Sequence, residues 1–463
     1  MNDLRKCKTY FWPFFIIFLF ISEAAGQSFI KVQRLSERVF VLTEESSMNN
    51  NVVAIATDKG LVVIDVTGSP YTASKMREKI AEEFGRSDFA YVIDTHHHWD
   101  HAWGNQVFSD TDIIAHERCP EQLLGDVQAV PRVVSSFREA LADRESELSN
   151  LDPDSDEAKE VKEDIEFRKR IIKGLSEGFK PTPPNIGFSD RMTLDLGNVT
   201  LKMYYFGRAH SGCDIFIMVP EEGILITGDI FLDQRWLPLF SGMNTLDIPR
   251  WIDVLGEILD GDDKLKKVIP GHKDLWSPEK LDLWRDYIVE LWDFVNDAKE
   301  KGYDLEHVLA QYSLKQEYYY LKDLGHDETA IQRFHERNIR SFWSQLFESA
   351  ATIIGEVIEE KGIDEAVKKF REMRSEDNSN YLFDETQFNA LGYRLMGQRK
   401  LKEAIDVFKM NVEMYPGSWN VYDSIGEAYM TNGQNELAIK NYNKSLELNP
   451  ENANAIEMLK RIK

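Results

Sequence analysis

Cysteine is scarce in this chain: Cys7, Cys119 and Cys213 are the only three in 463 residues. That excludes a fold framed by disulfides and leaves open at most one bridge, between Cys119 and Cys213. Basic residues are also few, with 55 Lys and Arg against 79 Asp and Glu and a net charge of −24. Nucleic acid and anionic membrane surfaces attract basic patches, so neither is an expected partner. After the first 26 residues no stretch is apolar enough to cross a bilayer. The strained Gly-x-Ser-x-Gly turn that exposes a nucleophilic serine is absent too.

The N-terminal stretch has its own signature. Arg5, Lys6 and Lys8 precede an apolar run over 11–21, and Ala24, Ala25 and Gly26 follow it. A basic start, a short apolar centre and small residues at the end read as a signal peptide over 1–26, cleaved before Gln27. Cys7 lies ahead of the apolar run and is badly placed for a lipid anchor. An uncleaved anchor is the rival reading. The expected location is periplasmic or secreted, with no membrane contact after cleavage.

The most informative stretch is 94–101, Asp-Thr-His-His-His-Trp-Asp-His. Four of the ten histidines and two acids fall in it or at its edges. An apolar run over 89–93 precedes it and reads as a buried strand, so the cluster sits on the loop at a strand's end. Imidazole nitrogen and carboxylate oxygen suit borderline divalent cations. Alternate residues of a loop can turn to one point, which pairs His96 with His98 and leaves Asp100 and His101 for a second cation. His97 has the opposite parity and should face away.

Three zones follow along the chain. From Phe29 to Leu309, strand-like runs over 38–43, 51–57, 61–65, 199–206, 215–219, 224–227 and 267–269 alternate with helical spacing, as over 71–84, and point to an α/β layered core. Asp58-Lys59-Gly60 reads as a hairpin turn. A charged stretch over 120–180 interrupts this core and reads as two helices broken at 151–155, with Ser155 or Asp156 as N-cap of the second. It is either a solvated hairpin or a lid or dimer arm. Over 277–349, Trp284, Tyr287, Leu291, Trp292 and Val295 recur at helical spacing, and such a stripe is expected to pack as core.

The tail repeats with a period of 34. Gly392 and Gly426, Ala404 and Ala438, Phe408 and Tyr442, and Pro416 and Pro450 match at that interval. This resembles the tetratricopeptide repeat, whose stacked helix pairs bury a shared core. The stretch 362–370 reads as a degenerate earlier copy of 400–408. The resemblance implies an all-α solenoid that contacts a protein or peptide, or that caps the chain or holds a homodimer.

Further metal-capable side chains stand at other strand ends. His210 follows the run 199–206, Asp229 ends 224–229 after Gly228, and His272 ends 268–272 after Gly271. Taken in order, His96, His98, Asp100, His101, His210, Asp229 and His272 resemble the ligand set of the metallo-β-lactamase superfamily, in its branch with a binuclear hydrolase site. The resemblance covers zone one and implies an αββα sandwich with the site at one edge of the two sheets. It also implies that His96, His98 and His210 hold one cation, that Asp100, His101 and His272 hold the other, and that Asp229 bridges them. The familiar β-lactamases commonly carry cysteine where Asp229 stands and arginine where His101 stands. The departure at both positions is similar to the glyoxalase II, lactonase and alkylsulfatase branches and makes dedicated β-lactam resistance a weaker expectation.

The implied activity is hydrolysis of a small-molecule ester, thioester, lactam or related bond by a hydroxide shared between two divalent cations, zinc first, with iron or manganese as the other candidates. Asp100 is the expected catalytic group, orienting that hydroxide or taking its proton. Two readings compete: an iron-containing redox relative on the same scaffold, and a repeat-based interaction protein with a vestigial site. Asp94 is expected to hold a ligating imidazole. His116 is either a supporting donor or a satisfied core histidine, and Cys213 an extra soft ligand or a small buried residue. His307, His326 and His335 need no role. Arg235 and Trp236, in the loop after Asp229, are candidates for substrate contact. The expected division is 1–26, 27–310 with the insertion over 120–180, a helical connector over 311–351, and the repeats over 352–463.

Overall fold

The computed structural model describes residues 29–46, 48–231, 246–312, 328–375 and 380–462. The expected leader, His326, Arg235 and Trp236 lie outside the described residues.

The apolar runs form two sheets. The first contains β1 (Ile30–Arg34), β2 (Val39–Glu44), β3 (Asn51–Thr57), β4 (Gly60–Ile64), β5 (Phe89–Ile93), β6 (Asp112–His116) and β7 (Ile186–Phe188), lying side by side in chain order. Its first four strands pair antiparallel and the rest join in parallel. Thr57 pairs with Gly60 across the β3–β4 hairpin, where the Asp-Lys-Gly turn is expected. The second sheet holds β8 (Arg191–Asp195), β9 (Thr200–Tyr205), β10 (Ile215–Val219), β11 (Ile224–Gly228) and β12 (Lys267–Pro270), in the order β12-β11-β10-β9-β8. Only β11 and β12 run parallel within it.

Period-two alternation sends one set of side chains from each sheet into a shared interior. Val41, Val53, Ile55, Val62 and Ile64 of the first sheet meet Leu201, Met203, Ile215, Ile217 and Ile226 of the second. Each such side chain, fully buried, contributes ~1.5–3 kcal/mol. The outer face of the first sheet is covered by α1 (Pro70–Phe84), through Met76 and Ile80. Ser69 caps that helix by accepting from Thr72 N, and Gly85 closes it. The short helix α2 (Trp99–Ala102) follows β5. The outer face of the second sheet packs against α6 (Ile248–Leu259), α7 (Pro278–Glu300), α8 (Leu305–Gln311) and α9 (Glu328–Ser344). Four of the aromatic-stripe residues, Trp284, Tyr287, Leu291 and Val295, are buried in that core, and Trp292 lies at its edge. The result is a helix–sheet–sheet–helix sandwich.

The insertion differs from the expectation of two helices. It contains three: α3 (Cys119–Val127), α4 (Val130–Leu148) and α5 (Asp156–Ser176). Pro131 stands in the first turn of α4, where its missing N–H costs nothing; one helix continuous with α3 would place its ring against the carbonyl of Val127. Ser155 caps α5, accepting from Ala158 N. Arg170 of α5 donates to the buried Glu44 of β2 at 3.1 Å and fastens the insertion to the first sheet.

The tail is helical: α10 (Ala350–Lys361), α11 (Ile363–Ser375), α12 (Glu385–Gly397), α13 (Leu401–Met414), α14 (Trp419–Thr431), α15 (Asn435–Leu448) and α16 (Ala453–Ile462). Two short strands, β13 (Glu348–Ser349) and β14 (Tyr381–Leu382), pair beside them. The period of 34 has a steric cause. A Cβ on Gly392 would lie 2.5 Å from the Phe408 ring, and one on Gly426 would lie 3.0 Å from the Tyr442 ring. The pairs α12–α13 and α14–α15 each cross at a glycine with an aromatic ring laid over it.

Candidate metal centre

The octet leaves β5 at Ile93 and turns into α2, so Asp100 and His101 sit on one helical turn while His96 and His98 precede it. The second sheet brings the other three side chains. His210 lies on the loop from β9 to β10, which Ile215 N ties to the octet by donating to Thr95 O at 3.0 Å. Asp229 follows β11 through Gly228, whose φ of +52° favours glycine and whose missing side chain leaves room for Thr95. His272 follows β12 through Gly271; a Cβ there would collide with Oδ1 of Asp229 and the His101 ring.

The structure gathers the seven residues into two groups. Ligand atoms of His96, His98 and His210 lie within 4.8 Å of one another, and so do those of Asp100, His101, Asp229 and His272. In the first group, His96 Nε2 is 3.1 Å from His98 Nδ1, which is 2.9 Å from His210 Nε2. In the second, His272 Nε2 is 3.3 Å from His101 Nε2 and 3.2 Å from both Asp100 Oδ2 and Asp229 Oδ2. Asp229 Oδ2 also reaches toward the first group, 3.6 Å from His210 Nε2 and 3.9 Å from His96 Nε2.

Neighbouring groups fix which nitrogen of each ring is free. His101 Nδ1 donates to Asp65 Oδ2 at 2.9 Å, and His272 Nδ1 donates to Met48 O at 3.0 Å. Thr95 Oγ1 donates to Asp65 Oδ2 at 2.9 Å and therefore accepts from His96 Nδ1 at 3.1 Å. Each ring turns its Nε2 toward its group. Asn50 Nδ2 donates to Asp100 Oδ2 at 3.2 Å and to Asp100 O at 3.1 Å, which fixes that carboxylate.

The charge balance is uneven. Burial first, then the imidazoles of His101 and His98, hold His96 well below the ordinary histidine range. Burial and His210 bring His98 down to about 3. Burial alone would raise Asp229, yet His101 and His272 take it well below the usual carboxylate range. Burial opposes a charge on His272, but Asp229 and Asp100 push it up to about 10. Asp229 Oδ1 is buried 3.2 Å from His101 Nε2. Lone pairs and carboxylate oxygens directed at one another need positive charge at their centre, and the nitrogen and oxygen donors are those that divalent cations such as zinc take. The residues fit two such ions.

Three of the residues whose side chains support the donors were not singled out from sequence. The carboxylate that holds His101 is Asp65, not Asp94. Asp94 is turned the other way and accepts from Asn105 Nδ2 at 2.7 Å. Thr95 and Asn50 complete the support. Asp65 has a visible signal, since it ends the run 61–65 as Asp229 ends its own. His97 faces away from both groups, with Nδ1 3.6 Å from Cys213 Sγ and Nε2 3.2 Å from Asp126 Oδ2. Cys213 belongs to neither group. His116 is a satisfied core histidine: Nε2 donates to Ser189 O at 3.1 Å, Nδ1 accepts from Arg118 N at 3.3 Å, and the ring stacks on Tyr205. The insertion reaches the metal loop through Trp99, whose ring lies 5.5 Å from that of Phe137 on α4.

The chain is similar to known proteins. Residues 48–272 match the family model of the metallo-beta-lactamase superfamily, and residues 426–456 match that of the TPR repeat. A curated relative, the metallo-beta-lactamase type 2 of Bacteroides fragilis, is 27% identical over 99 residues, which are 21% of this chain and 39% of that protein. Among solved structures, a metallo-beta-lactamase from Pontibacter korlensis is 15% identical with a TM-score of 0.39, over 56% of this chain and 98% of its own. A double mutant of the sec-alkyl sulfatase PisA1 is 14% identical with a TM-score of 0.44, over 90% of this chain and 65% of its own.

Proposed function

We propose that this chain, which carries a metallo-beta-lactamase superfamily domain and a C-terminal TPR repeat, is a metal-dependent hydrolase of a small molecule with an ester, thioester, lactam or related bond. The observation that carries the reading is the meeting of seven donor side chains in two adjacent groups with Asp229 reaching both. His96, His98 and His210 would hold one divalent cation, and Asp100, His101 and His272 the other, with Asp229 shared. When bound, the cations supply Lewis acidity to the electrophile and lower the pKa of a water from 15.7 toward neutrality.

The chain's own residues do the rest. Asp65, Thr95 and the Met48 carbonyl keep the proton of each supported imidazole on Nδ1, so that Nε2 stays a donor. Asp100, held by Asn50 and facing His272, is placed to accept a proton from an attacking water and to orient it. The two sheets bury these groups, which strengthens each electrostatic contact. The basic and apolar start of the chain supports export to a periplasm or the medium. The repeats support a protein or peptide partner for the tail. The division into a domain over 27–310, a connector over 311–351 and repeats from 352 remains part of this proposal.

The test is metal analysis of protein purified without added metal, followed by a panel of ester, thioester, lactam, sulfate and phosphate substrates. Zinc at up to two per chain with turnover on one bond class is expected. Iron with electron-transfer activity would favour redox chemistry on the same site. Protein that takes up no cation and hydrolyses nothing after reconstitution overturns the proposal.

A further inference from the structure

Cys119 opens α3, and Cys213 lies three residues beyond His210. They are buried, at 0% and 1% exposure, and with Ala115 they form a small cluster of their own. The two side chains pack together in that cluster. Cys213 is also held in place from its other side. Its Sγ lies 3.6 Å from His97 Nδ1 and 3.7 Å from Ser211 Oγ, and its N–H donates to Ser211 Oγ at 3.1 Å. The same loop already touches α3 once more, where Gly212 N donates to Gln122 Oε1 at 3.3 Å. The proposed hydrolysis uses none of these groups.

We propose that Cys119 and Cys213 are a redox pair that closes to an intrachain disulfide and fastens the loop carrying His210 to the first turn of the insertion. A bridge requires cysteines that already face each other at short range, and this pair is in contact across a chain separation of 94 residues. The oxidant class is a peroxide, small and uncharged enough to reach buried sulfur. One sulfur takes an oxygen from hydrogen peroxide, becoming a sulfenic acid and releasing one water. The other thiol attacks that sulfur; the S–O bond breaks, and the hydroxyl leaves with the thiol proton as a second water. Two thiols are oxidised and one peroxide is reduced. A cross-link so placed removes freedom from the segment that supplies His210, whatever bond the enzyme cleaves.

The full chain, purified under reductant and freed of it, is exposed to stoichiometric hydrogen peroxide, denatured, alkylated with N-ethylmaleimide and mapped by peptide mass spectrometry. The peptides holding Cys119 and Cys213 are expected to emerge joined and unalkylated, and to separate and alkylate after dithiothreitol. In a Cys119→Ser variant, Cys213 should appear as a sulfenic acid trapped by dimedone, and the reverse variant checks Cys119. Hydrogen exchange of amides 209–214 should slow severalfold in the oxidised protein. Two alkylated peptides after peroxide, or a bridge only between chains, overturns the pairing. A joined pair with unchanged exchange overturns its hold on the His210 loop.

Discussion

Asp65 Oδ2 accepts the Nδ1 proton of His101 at 2.9 Å, across a separation of 36 residues. The same oxygen accepts from Thr95 Oγ1, and Thr95 N donates to Oδ1 at 2.8 Å. One buried carboxylate therefore sets His101 directly and His96 through Thr95. Asp65 adopts φ +58°, a conformation that asparagine also tolerates. Asp65→Asn should leave the fold intact and weaken cation binding roughly 10–100-fold, as loss of a supporting carboxylate does at metal sites. Chelator competition on the parent and the variant measures it. Unchanged affinity would show that His101 needs no carboxylate behind it.

Removal of donors should sort the two groups. His98→Ala should empty the His96–His98–His210 group and leave the other occupied. Asp229→Ala should deplete both, because Oδ2 faces each of them. Metal content by plasma mass spectrometry reads this directly. An Asp229→Ala protein with a full complement of metal defeats the bridging assignment.

Gly271 has no space for a side chain beside Asp229 and His101. Gly271→Ala should therefore displace both. A stability loss of roughly 1–3 kcal/mol is expected for overpacking, with a larger fall in metal affinity than in melting temperature. Thermal unfolding with and without zinc separates the two effects, and a variant as stable and as metal-rich as the parent contradicts the packing argument.

His335 gives a pH signature remote from the donor groups. It is buried on α9, accepts from Tyr287 Oη at 2.9 Å and donates Nε2–H to Tyr312 O at 3.3 Å, with Asn338 donating to Tyr287 Oη. Burial lowers its pKa to about 4, although the Tyr312 carbonyl and Glu336 favour the charge. The unfolded chain then binds one more proton than the folded chain between pH 6.5 and about 4. Stability from this group is whole above pH 6.5 and is lost as pH falls toward 4, by at most ~1.4 kcal/mol per unit and on the order of 3 kcal/mol in all. Denaturant unfolding of the parent and of His335→Gln across that range gives the difference. A parent that loses no more stability than the variant on acidification disproves it.

The sequence carried the core strands because each is a run of β-branched and aromatic residues ending at a turn. It did not show β1, β7 and β8. Ile186-Gly-Phe is too short to show alternation, and Arg191-Met-Thr-Leu-Asp buries too little of itself to stand out. The seven donors were legible because four crowd the octet after one strand and the other three each follow a strand and a small residue. Their supports were not, since Asn50 and Asp65 act on residues 50 and 36 positions away. Asp94 is nearest in sequence to the ligating rings, but nearness along the chain does not say to which side a strand end turns. The glycine–aromatic crossings of the tail were readable because they recur at a fixed interval.

The segment 48–51 and the segment 270–273 are laced together. Asn51 N donates to Gly271 O, Asn51 Nδ2 to the carbonyls of Pro270 and Lys273, and Lys273 N to Asn49 O. One strand of that seam belongs to each half of the sandwich. The octet comes from one half, and His210, Asp229 and His272 come from the other. Cations at this edge would act as rivets between the halves. Their departure and the parting of the layers would be a single event, so the melting temperature should climb with the logarithm of free metal.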